Sequence, residues 1–153
     1  MGSFNKKSLE KVLIFFVSRL KKFISMDILY SGLFVSMLED GTQYDILQGN
    51  LYGYKGAIFE NLIADIFNKM GRKLYYFHKD SGLEVDFLIR YHGECVPVEV
   101  KAHTGNTKST KTILRHPEKY HVHQAIKLGN YNLGRNGQIL TLPLYMAFLL
   151  KSF

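Results

Sequence analysis

The stretch EVDFLIRYHGECVPVEVK, residues 84–101, decides the fold because it contains two apolar strands joined by a tight turn. A two-residue connection at His92-Gly93 is typical of a β-hairpin and pairs Tyr91 with Glu94. Since the turn sets the register of a hairpin, every further pair along the two strands follows from this one. The sequence therefore predicts an antiparallel hairpin with a defined set of opposed residues.

That register places two acidic residues against each other. Asp86 lies opposite Glu99, and Glu84 lies opposite Lys101. Because side chains alternate along a strand, Asp86, Glu99 and Lys101 are expected to project from one face of the hairpin. The other face is apolar and is predicted to be core, with Val85, Phe87, Ile89, Val96, Val98 and Val100.

The opposed carboxylates need a cation. Two like charges facing each other across a ladder repel, and charges in apolar strands are costly unless they are paired. Lys101 is one candidate partner for Asp86 and Glu99. A divalent metal is the other, because Mg²⁺ and Mn²⁺ favour carboxylate oxygens together with water. The residues alone leave both a salt-bridged structural hairpin and a metal site open.

Helices are predicted on both sides of the hairpin. Apolar residues recur at helical spacing between Gly53 and Gly71, and Gly71 is a natural helix stop. The other predicted elements are loops over 41–50 and 129–137, strands over 74–79, 84–90, 94–101, 122–128 and 137–142, a helix over 109–120 broken near Pro117, and a closing helix from Pro143. This order predicts an α/β fold, an α-β-β-β-α-β core with a mixed central sheet flanked by helices.

Length and composition describe a globular chain with excess positive charge. At 153 residues and 46% hydrophobic, the chain can bury a core as one domain, with or without an arm. The net charge of +7 favours an anionic partner, with nucleic acid first, although a merely basic globular protein shares this balance. Cys95 is the single cysteine, which excludes a disulfide and a cysteine-based zinc site. The apolar runs of the chain are shorter than the roughly 20 residues of a membrane span, so we expect a cytoplasmic protein.

Two further groups of charged residues are candidates for function. Glu60 lies in the most apolar part of the first helix, where it is either a third site carboxylate or a surface glutamate; Asp65 is predicted to be the better solvated acid. Basic residues recur at spacings of three and four from position 108 onward. They form either a track for a DNA backbone or a solvated helical face: Lys108, Lys111, Arg115 and Lys119.

These residues carry a resemblance to a known family. Asp86 followed by Glu99-Val100-Lys101 resembles the PD-(D/E)XK nuclease motif, with Glu60 in the place of its helix acid. The wider pattern, in particular SGLEVDFLI together with VPVEVK, resembles the C-terminal domain of unknown function of bacterial and archaeal AAA-type ATPases. The likeness covers most of the chain after the first two dozen residues.

The resemblance implies a restriction-endonuclease-like fold and a function. Asp86 and Glu99 would hold Mg²⁺ or Mn²⁺, Lys101 would be the electropositive catalytic residue, and Glu60 would help to position the metal or its water. Metal-dependent hydrolysis of DNA phosphodiesters would follow. The alternative is a catalytically silent DNA-binding or interaction module of an AAA-type ATPase system.

The chain departs from that family at its N-terminal side. The phosphate-binding pattern GxxxxGK[ST] does not occur in the sequence, so ATP binding by that route is not expected. Residues 1–25 are predicted to be an arm, the remnant of a winged-helix segment, and residues 26–153 the nuclease-like domain. We expect either a fragment of a larger ATPase or a shortened relative, with the ATPase as a possible partner in trans.

Overall fold

The computed structural model describes residues 35–36, 41–50, 55–103 and 107–151. The predicted N-terminal arm at 1–25 and the predicted domain boundary after it lie outside these residues. The helices are α1 (Thr42–Leu47), α2 (Lys55–Lys69), α3 (Lys108–Leu114), α4 (Pro117–Tyr120) and a closing 3-10 helix (Leu144–Leu150). The strands are β1 (Phe77–Lys79), β2 (Leu83–Val85), β3 (Phe87–Tyr91), β4 (Glu94–Lys101), β5 (Ala125–Gly129), β6 (Gly134–Asn136) and β7 (Ile139–Pro143).

The predicted α/β class is confirmed. In the described part of the chain, a five-stranded sheet has the order β3-β4-β5-β7-β6, and a separate two-stranded sheet is formed by β1 and β2. The β3–β4 and β6–β7 pairs are antiparallel, whereas β4–β5 and β5–β7 are parallel, so the main sheet is mixed as predicted. Helices flank it on both faces.

The hairpin has the predicted register. Tyr91 pairs with Glu94, and the ladder runs back to Phe87 opposite Val98. His92 and Gly93 form the turn and both have positive φ, at 49° and 82°, which a tight hairpin turn requires. The local turn chemistry is thus sufficient to set how the two strands of the site meet.

The predicted pairing of Glu84 with Lys101 is wrong. The predicted strand over 84–90 is interrupted at Asp86, and β2 pairs instead with β1, which places Glu84 opposite His78. Chain direction changes at this point because the Leu88 amide bonds to the Tyr75 carbonyl at 2.7 Å, while Val85 packs in a different core cluster from Phe87. Asp86 therefore lies between the two-stranded sheet and the five-stranded sheet rather than within one long strand.

Other predicted boundaries also differ from the structure. The predicted loop over 41–50 contains α1, and the predicted loop over 129–137 contains β6. The strand predicted over 122–128 begins only at Ala125, because His121 has a left-handed φ of 52° at the end of α4. The closing segment is a 3-10 helix.

The end of α2 confirms the predicted stop at Gly71. Gly71 has a φ of +75°, and the Arg72 amide donates to the Phe67 carbonyl at 3.0 Å, which closes the last turn of the helix. Asp65, predicted to be solvated, is instead buried and accepts a hydrogen bond from the Lys69 ammonium at 2.7 Å. The buried side of α2 therefore includes Asp65 together with Ile63 and Phe67.

Two hydrophobic clusters cover opposite faces of the main sheet. The first cluster lies under α2 and the 3-10 helix and includes Ile63, Phe67, Phe87, Val98 and Leu128. The second lies under α3 and α4 and includes Leu88, Ile113, Leu114, Tyr120 and Ala125. On this second face the apolar packing stops short of the end of β4, which leaves room for a polar site.

Candidate active site

An open cleft of about 320 Å³ lies where β4 ends and α3 begins. Its walls come from three segments: the β1–β2 turn region, the end of the hairpin and the first turn of α3. The lining residues are Gly82, Glu84, Asp86, Glu99, Lys101, Lys108 and Ser109. The structure therefore brings Asp86, Glu99 and Lys101 together in one cleft. The β3–β4 ladder itself ends at the Phe87–Val98 pair, so the predicted pairing of Asp86 with Glu99 is not part of it.

Asp86 is held by a backbone group of the opposite strand. Its Oδ2 accepts a hydrogen bond from the Val100 amide at 2.7 Å, a short distance typical of a charge-assisted bond. Burial raises the pKa of the Asp86 carboxyl above its ordinary value, and the Val100 hydrogen bond and the Lys101 charge oppose this increase. Repulsion from Glu99 and Glu84 adds to it. The carboxyl is thus fixed in position while its negative charge remains costly.

Glu99 is the most buried acid of the cleft, with 4% of its surface exposed. Its Oε1 accepts a hydrogen bond from the Thr110 hydroxyl at 2.6 Å. Its Oε2 is buried and receives no hydrogen bond from any residue that the structure describes. A buried carboxylate oxygen without a hydrogen bond destabilises the folded state, so its position needs an explanation.

Lys101 lies between the two acids. Its Nζ is 3.8 Å from Oε2 of Glu99 and 4.0 Å from Oδ2 of Asp86. These distances allow Coulomb attraction but exceed those of a hydrogen bond. One ammonium therefore balances two carboxylates only in part, and one excess negative charge remains among these three side chains.

Glu60 approaches the cleft from α2. The residue as a whole is exposed, yet protein packed around its carboxyl removes part of the water, which raises its pKa to about 7. Repulsion from Asp86 and Glu84 contributes to the increase, and attraction to Lys101 opposes it. Glu60 thus interacts electrostatically with the predicted site but does not line the cleft.

The donor set of the cleft fits Mg²⁺ or Mn²⁺ with open coordination positions. Glu84, Asp86 and Glu99 line the cleft, and of the two predicted ligands Glu99 presents a buried oxygen without a hydrogen bond in the described part of the chain. Among residues 35–36, 41–50, 55–103 and 107–151, no group of three or more His, Cys, Asp or Glu side chains is close enough to hold an ion. Mg²⁺ is commonly bound by one or two carboxylates plus water and phosphate, so two protein ligands are compatible with it.

The predicted basic track is exposed along α3 and α4, but its members differ in position. Lys108 is at the start of α3 and lines the cleft. Lys111 and Arg115 follow on the same helix and its end, and Lys119 lies on α4 with its Nζ 5.4 Å from the centre of the Tyr120 ring. Only the first of these four residues belongs to the cleft itself.

The sequence prediction missed three contributors to the site. Ser109 and Thr110 were not singled out because polar residues in the first turn of a short helix look solvated. Gly82, with a φ of +79° in the turn between β1 and β2, is the third contributor. The local signal that was available is the run KST at residues 108–110, because two hydroxyl residues follow soon after β4, the strand that carries Glu99.

Comparison with known families gives one match. The family described as Domain of unknown function (DUF4143) matches residues 55–145, more than half of the chain and the whole of the hairpin, cleft and α3. No curated protein and no solved structure matches the chain. Among the described residues, no helix has the length and apolar character needed to cross a membrane.

Proposed function

The chain belongs to the DUF4143 family of domains of unknown function. From its cleft we propose that it is a metal-dependent nuclease of the PD-(D/E)XK type acting on DNA. One observation carries the proposal. Oε2 of Glu99 is buried, is hydrogen-bonded by no residue in the described ranges, and lies beside Asp86 and Lys101 at an open cleft. A divalent cation at this oxygen would satisfy it and offset the excess negative charge.

Four residues of the cleft, and Glu60 beside it, have roles in this proposal. Asp86 and Glu99 would hold Mg²⁺ or Mn²⁺, which when bound polarises a phosphate and lowers the pKa of a coordinated water. Lys101 would hold the phosphate by its charge at the scissile position. Lys108, exposed on the rim of the cleft, would bind the neighbouring phosphate of the strand. Glu60, on the α2 side, would affect the protonation of these groups through Coulomb interaction.

Mn²⁺ binding measured by calorimetry tests the proposal directly. The wild-type protein is expected to bind one Mn²⁺, and Asp86→Asn and Glu99→Gln, which keep size and remove charge, are expected to lose most of the affinity. Glu118→Gln is a matched control, since Glu118 is an exposed acid on α4 outside the cleft. Cleavage of duplex, single-stranded and branched DNA with Mn²⁺ should follow the same order of variants. Equal binding by the wild type and both cleft variants would exclude the metal site.

A second candidate function is a catalytically silent DNA-binding module. Two observations favour it: Lys101 lies within 4.0 Å of both carboxylates and partly neutralises them without a metal, and Lys111, Arg115 and Lys119 are exposed. In that case Lys111→Gln and Arg115→Gln should each weaken DNA binding and reduce the slope of its salt dependence by about 1. Asp86→Asn should leave this binding unchanged or increase it, because it removes a negative charge.

The proposed partner of either activity is an AAA-type ATPase. The support is the resemblance of SGLEVDFLI and VPVEVK to the C-terminal domains of such ATPases. An ATPase acting on the same DNA would supply the energy for strand movement, while this domain would contact the strand. Addition of the purified chain should then change the DNA-stimulated ATPase rate of such a partner, and no change would argue against the partnership.

A further inference from the structure

Thr110 donates a hydrogen bond to Oε1 of Glu99 and is almost fully buried. It is the third residue of α3 and is 1% exposed. Its hydroxyl donates to Oε1 at 2.6 Å, within the range of a hydroxyl bonded to an ionised carboxylate. A buried, short and charge-assisted hydrogen bond of this kind strongly restrains the orientation of the acceptor.

The helix that carries Thr110 is anchored to the rest of the protein. Ile113 and Leu114 are buried in the second hydrophobic cluster, so one side of α3 is held by packing. At its first turn, the Ser109 hydroxyl accepts a hydrogen bond from the Glu84 amide at 3.2 Å. Consecutive residues of α3 thus bond to the segments that bear the two acids, since Glu84 is two residues before Asp86. A donor on such an element holds its acceptor more accurately than one on a free loop.

The consequence concerns the two oxygens of Glu99. The Thr110 hydroxyl donates its hydrogen bond to Oε1, whereas Oε2 lies 3.8 Å from the Lys101 Nζ. We infer that Thr110 is a positioning residue that orients the Glu99 carboxylate and reserves Oε2 for a divalent cation. This inference rests on the proposed function. Thr110 acts through Glu99 and does not line the cleft itself.

A purely structural role for Thr110 makes a different prediction. If its hydroxyl only satisfies a buried acid, its removal should lower stability and leave the affinity of the folded protein for metal unchanged. If it positions Glu99, metal affinity should decrease even at temperatures where the variant is fully folded. Partners that orient metal ligands typically contribute 10- to 100-fold in affinity. The two roles are therefore separated by measuring binding and stability on the same variants.

The test compares Mn²⁺ affinity by calorimetry in four proteins, with thermal unfolding and circular dichroism as folding checks. Thr110→Val replaces the hydroxyl by a methyl group and is expected to weaken binding by about 10- to 100-fold. Thr110→Ser keeps the hydroxyl and is expected to retain near wild-type affinity. Thr112→Val is the matched control: Thr112 is exposed on α3 and its hydroxyl donates to the Lys108 carbonyl at 2.9 Å. It should not change the affinity.

The outcomes separate failure of the inference from failure of the proposed function. If the wild type binds Mn²⁺ and Thr110→Val binds equally well, the positioning role is wrong while the metal site stands. If Thr110→Ser is as weak as Thr110→Val, the hydroxyl is not the cause and the inference is overturned. If the wild type binds no Mn²⁺, both fail together. Should Thr110→Val not fold, Thr110→Ala, which removes the hydroxyl without adding a second methyl group beside the carboxylate, replaces it in the same comparison.

Discussion

The two faces of strand β4 are built on different principles. Val96, Val98 and Val100 point into the first hydrophobic cluster under α2, where they are nearly inaccessible to water. Glu99 and Lys101, which alternate with them, point to the opposite face and line the cleft. Neighbouring residues of a single strand therefore serve a dry core on one side and a polar site on the other.

The two faces are stabilised by different interactions, apolar packing on the α2 face and charged groups on the cleft face. The α2 face is stabilised by burial of apolar area, which does not depend on the protonation of side chains. The cleft face is held by a few short hydrogen bonds and an incompletely balanced set of charges. Changes on the first face should alter the free energy of unfolding at every pH, whereas changes on the second should depend on pH and on cations.

The largest effect is expected from Phe67→Ala on the α2 face. Phe67 is fully buried and meets the Phe87 ring edge-on, with 5.6 Å between the ring centres. Removing such a side chain typically costs about 3–5 kcal/mol, because it removes apolar contacts and leaves a cavity. Urea unfolding at pH 5 and pH 8 should show the same loss at both values. Leu62→Ala, a change at a 36% exposed position of the same helix, is the control and should cost far less. A loss for Phe67→Ala that varied strongly with pH would contradict the proposed division between the faces.

A smaller and pH-dependent effect is expected from Lys101→Met on the cleft face. The substitution removes the one ammonium within 4.0 Å of both acids in the described structure, and leaving such groups unpaired costs about 1–3 kcal/mol. It also removes an interaction that lowers the pKa of Asp86, so this pKa, already raised by burial, increases further. A raised carboxyl pKa destabilises the folded state as pH rises above the ordinary value of 3.8, so the loss should be larger at pH 8 than at pH 5.

Metal addition sharpens the same experiment. If the cleft binds a divalent cation, excess Mn²⁺ should restore part of the lost stability of Lys101→Met, since a bound ion stabilises the folded state by mass action. Lys108→Met is the matched control, because Lys108 lines the same cleft but is exposed, and its effect on stability should stay within about 0.5 kcal/mol. A pH-independent loss for Lys101→Met would mean that its aliphatic stem, rather than its charge, supports this face.

The contrast between the faces also explains which features the sequence could predict. The hairpin register and the convergence of Asp86, Glu99 and Lys101 follow from a two-residue turn and strand alternation, which are local rules. The stop of α2 at Gly71 is equally local. The family assignment confirms a domain of unknown function, whereas the nuclease assignment stays a prediction.

The features that were missed depend on contacts between distant segments. Glu84 pairs with His78 because β2 folds back on β1, and the pairing of two short strands is weakly encoded in either one. Thr110 meets Glu99 only once α3 has packed on the sheet, and Asp65 is buried because of the rotation of α2 against the sheet. Periodicity indicates which residues share a face but does not indicate which segment covers that face.

The smallest effect, and the sharpest test of how far the cleft face extends, is expected from Glu60→Gln. The pKa of Glu60 is raised to about 7 by loss of water around its carboxyl and by repulsion from Asp86, so the folded protein retains this proton between pH 4.5 and pH 7. The unfolded chain releases it near 4.5, and the wild type therefore loses stability as pH rises through this window, whereas Glu60→Gln does not. Thermal unfolding should show the variant gaining on the wild type from pH 4.5 to pH 7 and no further gain above it. Because Glu60 is exposed and solvent screens its interactions, the gain should be only about 0.5 kcal/mol.

Asp80→Asn, at an exposed position in the β1–β2 turn, is the control and should show no such gain over this window. A difference between Glu60→Gln and the wild type that is the same at every pH would contradict this prediction. It would mean that Glu60 does not interact electrostatically with the acids of the cleft, and that the cleft face does not extend to α2.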